Sequence, residues 1–381
     1  MIRHFVLLVL AVGLMFVSCI ESFDVTLPEA DTDQLVIEGN IFSDTHCTFY
    51  LSRTVALDYE DSAVPYVGGA SLSVVGADGS SYPSSEDAIG VYSIEVGTLS
   101  DNVEYWLEIR MPDGDVFRSE AMCPMPTPSI SEITFAQPRE DRLLDIMVTC
   151  DAPSSGEVQY LRWTYDETWE LHAPFRPYYE YDPETDQIVP RTLDTGIGWK
   201  QAASTGLLIG SSKEYVGHRF VNHRIYTISH RDMRLSVCYR TRIRQYALSQ
   251  RHYEYEEARR KLSTDMGGLF SPLPSELPGN VSSSDGSRRV IGYVGVCSRP
   301  AEAEVYIFSS QVDYETTSFP SILTKEEIAG RKDRELYKAG YRIVFYDPIL
   351  GAKDWSSEGN VDVRLMGASL ERPLDWDPPA R

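Results

Sequence analysis

Long apolar runs are what this sequence most plainly lacks. A helix crossing a bilayer core needs about 20 consecutive apolar residues, and the leading run, from Phe5 to Val17, stops at Ser18 and Cys19. Positive charge is also scarce, with 35 Lys and Arg against 57 Asp and Glu and a net charge of −22. Nucleic-acid binding needs clustered Lys and Arg that displace counterions from phosphates, so that class is excluded, and an anionic membrane face would repel the chain. Only six residues are cysteine, with no CxxC pair, which argues against a zinc site. There is no GxSxG elbow, no HExxH, no P-loop and no GxGxxG between a strand and a helix. Those gaps remove the commonest hydrolase, metalloprotease and nucleotide-binding readings.

What is present begins at the N-terminus. Arg3 and His4 precede the apolar run, the pattern of an export signal. Phe16-Val17-Ser18-Cys19 resembles a bacterial lipobox, in which the Cys thiol receives a diacylglyceryl group and the new amino terminus is acylated after cleavage. Phe16 departs from the usual Leu, Val or Ile, while the small Ser18 suits the peptidase. Residues 1–18 are therefore read as a lipoprotein signal peptide, Cys19 as the lipidated residue and residues 19–32 as a tether, with plain secretion as the alternative. One acyl chain binds a membrane only reversibly, whereas several on one residue hold it permanently. Cys47, Cys123, Cys150, Cys238 and Cys297 then remain, enough for two disulfides at most. Burial as small hydrophobes competes evenly with pairing.

The mature chain is too long for one core. Residues 33–123 read as short strands: Gln34 to Gly39, Cys47 to Arg53, Ala70 to Gly76, Gly90 to Val96, Val103 to Arg110 and Val116 to Met122. Turn pairs Asp78-Gly79 and Asp113-Gly114 separate some of them, which predicts an immunoglobulin-like β-sandwich. Pro124, Pro126 and Pro128 read as a linker. Residues 130–381 read as a second β-rich domain with one prominent helix near 249–262. That helix has no Gly or Pro and ends at Gly267-Gly268. A short helical stretch is expected from Lys325 to Lys338.

Three groups are chemically suggestive. His218, His223 and His230 lie too loosely for a helix face and sit among arginines, so surface histidines are expected. Asp166, Glu167 and Glu170 in YDETWE offer paired carboxylates or Ca²⁺ ligands, against a solvated strand end. The stretch 172–190 holds Phe175, Arg176, Tyr178, Tyr179 and Tyr181 just after Trp169, an amphipathic surface of the kind that contacts a glycan, peptide or partner. Against it stands the reading that these rings cover the core of a long insertion. Asp61-Ser62-Ala63 fits a short bacterial O-glycosylation pattern.

RIRQYALSQRHYEYEEARRKL (Arg242 to Leu262), followed by TDMGGLFSPLPSELPGNV and VIGYVGVCS, resembles a Bacteroidota lipoprotein family known as domain of unknown function 4249. Residues 19–44, Gly90-Val91-Tyr92, residues 162–170 and residues 361–376 share the resemblance. Members often carry a tail Cys where Val363 stands here, so the family's tail disulfide is not expected. The resemblance implies an outer-membrane or surface lipoprotein encoded beside a TonB-dependent β-barrel receptor, and no enzymatic activity. The expected function is thus a non-enzymatic accessory or ligand-capture subunit of such a transporter, anchored to the outer membrane by lipid, on the cell surface or the periplasmic face. It needs no cofactor or metal. The alternatives are a surface glycan or peptide hydrolase, or a structural or adhesive module.

Overall fold

The computed structural model describes residues 34–54, 64–138, 140–153, 156–265, 279–284, 288–316 and 320–380. The signal peptide 1–18, Cys19, the tether 19–32 and the Asp61-Ser62-Ala63 pattern lie outside the described residues. The described chain is mainly β, in antiparallel sheets apart from one short parallel pair.

Its first module begins with β1 (Leu35–Glu38), β2 (Ile41–Phe42), β3 (Thr45–Arg53), β4 (Ser71–Gly76), β5 (Ser81–Ala88), β6 (Val91–Val96), β7 (Tyr105–Arg110) and β8 (Val116–Ser119). Alternation in β3 buries Cys47, Phe49 and Leu51, and alternation in β4 buries Leu72 and Val74. The period of two therefore selects one inward face. Strand β5 turns a corner, its first half pairing with β4 and its second with β6. Two sheet layers become one curled sheet, whereas an immunoglobulin-like sandwich would stack two separate ones.

Residues 33–123 do not finish this sheet. After a long excursion the chain returns as β18 (Val281–Ser283) and β19 (Arg289–Val290), which extend the sheet beyond β8. Ile291 then exchanges backbone hydrogen bonds with β1, its N–H donating to Leu35 O at 2.9 Å while Ile37 N–H donates to Ile291 O at 2.9 Å. First and last strands thus meet. Val281, Val290, Val294 and Val296 join Phe49, Leu72, Tyr92 and Leu107 in the same core. Gly292 permits the closure, since at φ +141° a Cβ there would sit 2.1 Å from Ile37 O. The proline linker is pinned by the same segment, because Met125 N–H donates to Val296 O and Ser298 N–H to Met125 O.

The second module contains β9 (Ile130–Ala136), β10 (Leu143–Cys150), β11 (Tyr160–His172), β12 (Tyr179–Asp182), β13 (Gln187–Pro190), β14 (Ile197–Ala203), β15 (Leu208–Ser211), β16 (His223–Ser229) and β17 (Cys238–Leu248). Then come α1 (Gln250–Asp265), β20 (Val296–Cys297), which pairs with β2, and β21 (Ala301–Phe308). Sheet β16-β10-β9 shares a core with sheet β14-β11-β17-β21 around Ile146, Trp163, Phe220, Tyr239 and Ile243. One fully buried polar side chain organises it. Gln245 Oε1 accepts from the Trp163 indole at 2.8 Å and from the Cys150 thiol at 2.9 Å, and its Nε2 donates to Pro128 O at 2.7 Å. On the outer face of β17, Arg242 and Arg244 meet Glu304, Glu302 and Asp166, a cross-strand charge ladder. Buried Arg240 reaches Asp375 O at 2.6 Å and Thr168 Oγ1 at 2.9 Å, which straps the tail to the sheet.

A third, smaller core lies inside the stretch expected to be part of the second domain. Hairpin β12–β13 packs on α2 (Lys325–Ile328), α3 (Asp333–Lys338), β22 (Tyr341–Tyr346) and β23 (Lys353–Ser357) around Tyr181, Leu336, Ile343 and Trp355. The helical stretch expected from Lys325 to Lys338 is two short helices, interrupted at Gly330 with φ +73°. No disulfide joins the five described cysteines; Cys47, Cys150, Cys238 and Cys297 are buried and Cys123 is exposed. Burial pushes the Cys47 thiol up to about 11 and those of Cys150 and Cys297 up to about 12, so they behave as small hydrophobes.

Candidate functional site

The aromatic stretch does not converge on a ligand. Tyr181 is buried against Tyr337 and Trp355, and Tyr179 meets the edge of Tyr346. Phe175 is half-buried, Arg176 pairs with Asp194, and Tyr178 stands 87 % exposed. Trp169 is buried in β11 under the Lys200 ammonium, 5.9 Å from the ring centroid. The rings of the hairpin instead clamp the third core. A cleft of about 510 Å³ opens beside them, but its charges are spent on one another, Arg342 on Glu358 and Arg364 on Asp362, each at 2.6 Å.

The YDETWE carboxylates also separate. Asp166 pairs with Arg244 and Glu170 with His172. At about 3.3 Å per residue along a strand they lie roughly 13 Å apart. Glu167 departs from the expected solvated strand end: it is 5 % exposed, accepting from Arg234 at 2.6 Å and from the Tyr239 hydroxyl at 2.6 Å. Tyr239 continues to the Tyr226 hydroxyl at 2.6 Å, and burial keeps both phenols protonated. No two of these carboxylates can act on one substrate atom. His223, expected at the surface, is half-buried and stacked on Trp163, its pKa lowered by burial. Among the described residues, no three His, Cys, Asp or Glu side chains gather to hold a metal ion, and no helix is long and apolar enough to cross a membrane.

The concavity that does gather unspent polar groups lies between the first and second modules. It encloses about 330 Å³, at the low end of the roughly 300–1,000 Å³ typical of small-molecule sites. One wall is β1, the β1–β2 turn and Tyr50 of β3. The floor is the outer face of β11 and β17, where Arg162 and Tyr246 are directly opposed and Thr164 Oγ1 lies 3.3 Å from Tyr246 OH. Phe42 packs on Tyr246 with ring centroids 4.6 Å apart. Helix α1 closes the third side with Tyr255, Glu256 and Arg259.

That helix presents a polar stripe inward. His252, Tyr255, Glu256 and Arg259 recur at i, i+3, i+4 and i+7, the spacing of one helix face. His252 is 1 % exposed and stacked on Tyr293, and Glu256 is 4 % exposed. Glu256 has three cationic or imidazole neighbours: Arg259 Nε 2.8 Å from Oε2, and Arg162 and His252 Nε2 at 3.6 and 3.7 Å from Oε1. None of these contacts has the alignment or distance of a hydrogen bond, so Glu256 Oε2 and His252 Nε2 remain buried without such partners. Burial alone would raise the Glu256 carboxyl, but His252, Arg259 and Arg162 outweigh it and hold it below the usual carboxylate range. Burial dominates at His252 and lowers its pKa, keeping the ring neutral. The sequence reading found the helix but not this stripe; polar residues at helical spacing were the available signal.

A sequence model of one family, described as "Domain of unknown function (DUF4249)", matches residues 20–302. The match spans the first module, the returning segment and the second module as far as the start of β21, and stops before β22 and the tail residues 361–376. No curated protein matches. Among solved structures, a biofilm-associated protein's BSP domain is similar at 12 % identity with TM-score 0.19, over 57 % of this chain and 27 % of that one. A cytokine receptor complex is similar at 12 % with TM-score 0.21, over 72 % and 96 %. The native alpha-2-macroglobulin of E. coli is similar at 10 % with TM-score 0.19, over 78 % and 15 %. Similarity at that level fixes neither fold nor function.

Proposed function

This chain belongs to the DUF4249 family, and from that premise we propose that it is a lipid-anchored, non-enzymatic ligand-capture subunit working beside a TonB-dependent β-barrel transporter of the outer membrane. The observation carrying the reading is the cleft between the two modules, where aromatic walls surround an Arg162 guanidinium whose one ion-pair partner, Glu256, stands 3.6 Å away. Capture needs such a pre-formed site and no reacting group. The hydrolase alternative loses its motive, because the carboxylates at 166, 167 and 170 face different surroundings and are each engaged separately.

Lipid on Cys19 would confine the protein to the membrane plane and raise its effective concentration near a barrel, so that a weak protein contact persists. Two measurements test this. Labelled palmitate should mark the wild type and not Cys19→Ala, and affinity capture from detergent-solubilised outer membranes should recover a β-barrel protein. Unlabelled wild type, or capture without any barrel, overturns the reading.

A further inference from the structure

We propose that the cleft between the modules takes a ring compound bearing one carboxylate and at least one hydroxyl, with the carboxylate on Arg162, the ring beside Phe42 and Tyr246, and the hydroxyl donating to Glu256. The proposal rests on the capture reading above and narrows it to a ligand class.

Ion pairing comes first. The cleft is lined by two guanidiniums, Arg162 and Arg259, and two carboxylates, Glu256 and Glu38. Arg259 is held by Glu256 at 2.8 Å and lies 3.6 Å from Glu38. Arg162 meets Glu256 alone, at 3.6 Å. Of the two guanidiniums, Arg162 is thus the one left without a close counter-ion, and a carboxylate on the ligand supplies it.

Hydrogen-bond capacity comes second. Among the described residues the Arg162 guanidinium has one ion-pair partner, Glu256 at 3.6 Å, and donates no hydrogen bond. A planar guanidinium offers a rigid fork of N–H groups that matches a carboxylate with two parallel bonds. Here the fork lies beside Tyr246 in the sheet register, so a bound carboxylate would carry its ring toward the Phe42–Tyr246 pair. Glu256 supplies the opposite polarity: an ionised carboxylate accepts only, and its Oε1 meets Arg162 and His252 no closer than 3.6 and 3.7 Å, which leaves room for a hydroxyl donor. A ligand with an acid at one end and a hydroxyl at the other answers both deficits. The volume suits one ring of sugar or phenol size.

That chemistry has two sources, a sugar acid and a phenolic acid, and the test separates them. The full-length mature protein is titrated by calorimetry and ligand-observed NMR with galacturonate and its neutral counterpart galactose, and with 4-hydroxyphenylacetate and its amide. At least one acid should bind, about tenfold or more tighter than its neutral partner. Arg162→Gln should weaken that acid by about tenfold or more, and Arg162→Lys less, because the ammonium keeps charge but loses the fork. Glu256→Gln should weaken the hydroxylated acid more than phenylacetate, which lacks the hydroxyl. Unfolding midpoints of each variant establish that it is folded, and Tyr246→Ala is read if Arg162→Gln is not.

Equal affinity for an acid and its neutral partner, or unchanged affinity in Arg162→Gln, overturns the proposal. So does no binding of either acid up to about 10 mM. If either occurs while a β-barrel still co-purifies, the accessory reading stands and the ligand class falls; if no barrel co-purifies while an acid binds, the reverse holds.

Discussion

At the scale of single residues the molecule spends its buried polar groups unevenly. Glu167 is fully engaged by Arg234 and Tyr239, so its removal leaves Arg234 to Asp232 alone and Tyr239 to Tyr226 alone. Removing one partner of a buried hydrogen bond typically costs about 1–3 kcal/mol; Glu167→Ala should lower stability by that order in urea titrations, with ligand affinity at the cleft unaffected. His252 makes a pH signature. Its pKa in the folded protein lies below the ordinary value because burial disfavours the cation. An unfolded chain binds that proton near pH 6.5, so stability is complete above about 6.5 and declines as pH falls toward the folded pKa. Glu256, Arg162 and Arg259 face the ring, and the Glu256 carboxyl, being depressed, gives up its own contribution only at lower pH, below its ordinary range. His223 shares the depression. Replacing His252 by Gln should therefore flatten part of the fall in melting temperature between pH 7.5 and 5.5, and His223→Gln most of the remainder, by differential scanning calorimetry.

At the scale of elements, the strands were written locally. Alternation in QLVIEG, CTFYLSR and ASLSVVG gives β1, β3 and β4 within a residue or two, because each buries one face, while HRIYTIS and YRIVFYD give β16 and β22 by their β-branched and aromatic content. Strand β5 escaped because SYPSSEDA contains Pro83 and leaves most of its side chains exposed at a corner. The hairpin β12–β13 escaped because its proline-punctuated stretch reads as loop until Tyr181 finds Trp355 far along the chain. Helix α1 was found, but its inward face was not, since a buried polar stripe carries no hydrophobic signal. The element most sensitive to a single atom is the turn after β19. Gly292→Ala places a methyl group against the Ile37 carbonyl oxygen; overpacking of that kind costs about 1–3 kcal/mol. A matching fall in the unfolding midpoint is expected, while Gly330→Ala in the open turn between α2 and α3, where a Cβ meets nothing within 4 Å, should cost only what its left-handed backbone imposes.

At the scale of the whole molecule, sequence reading divided the chain at the proline linker and assigned everything beyond it to a second domain. Pairings between distant segments have no local trace, so the return of residues 281–297 to the first core was illegible. It predicts a specific failure: residues 34–123 expressed alone should give a poorly dispersed NMR spectrum, and joining residues 279–298 through a short Gly/Ser linker should restore a dispersed one. The cleft was illegible for the same reason. Phe42 comes from the first module and Arg162 and Tyr246 from the second, so the three meet only when both are built.

The returning segment also bears on inheritance. A gene fragment copied from the start of this reading frame to the proline linker would deliver a sheet lacking its final strands and four valines of its core. Duplication or transfer of the leading third by itself yields nothing usable, so the two modules must descend together and diverge as a pair.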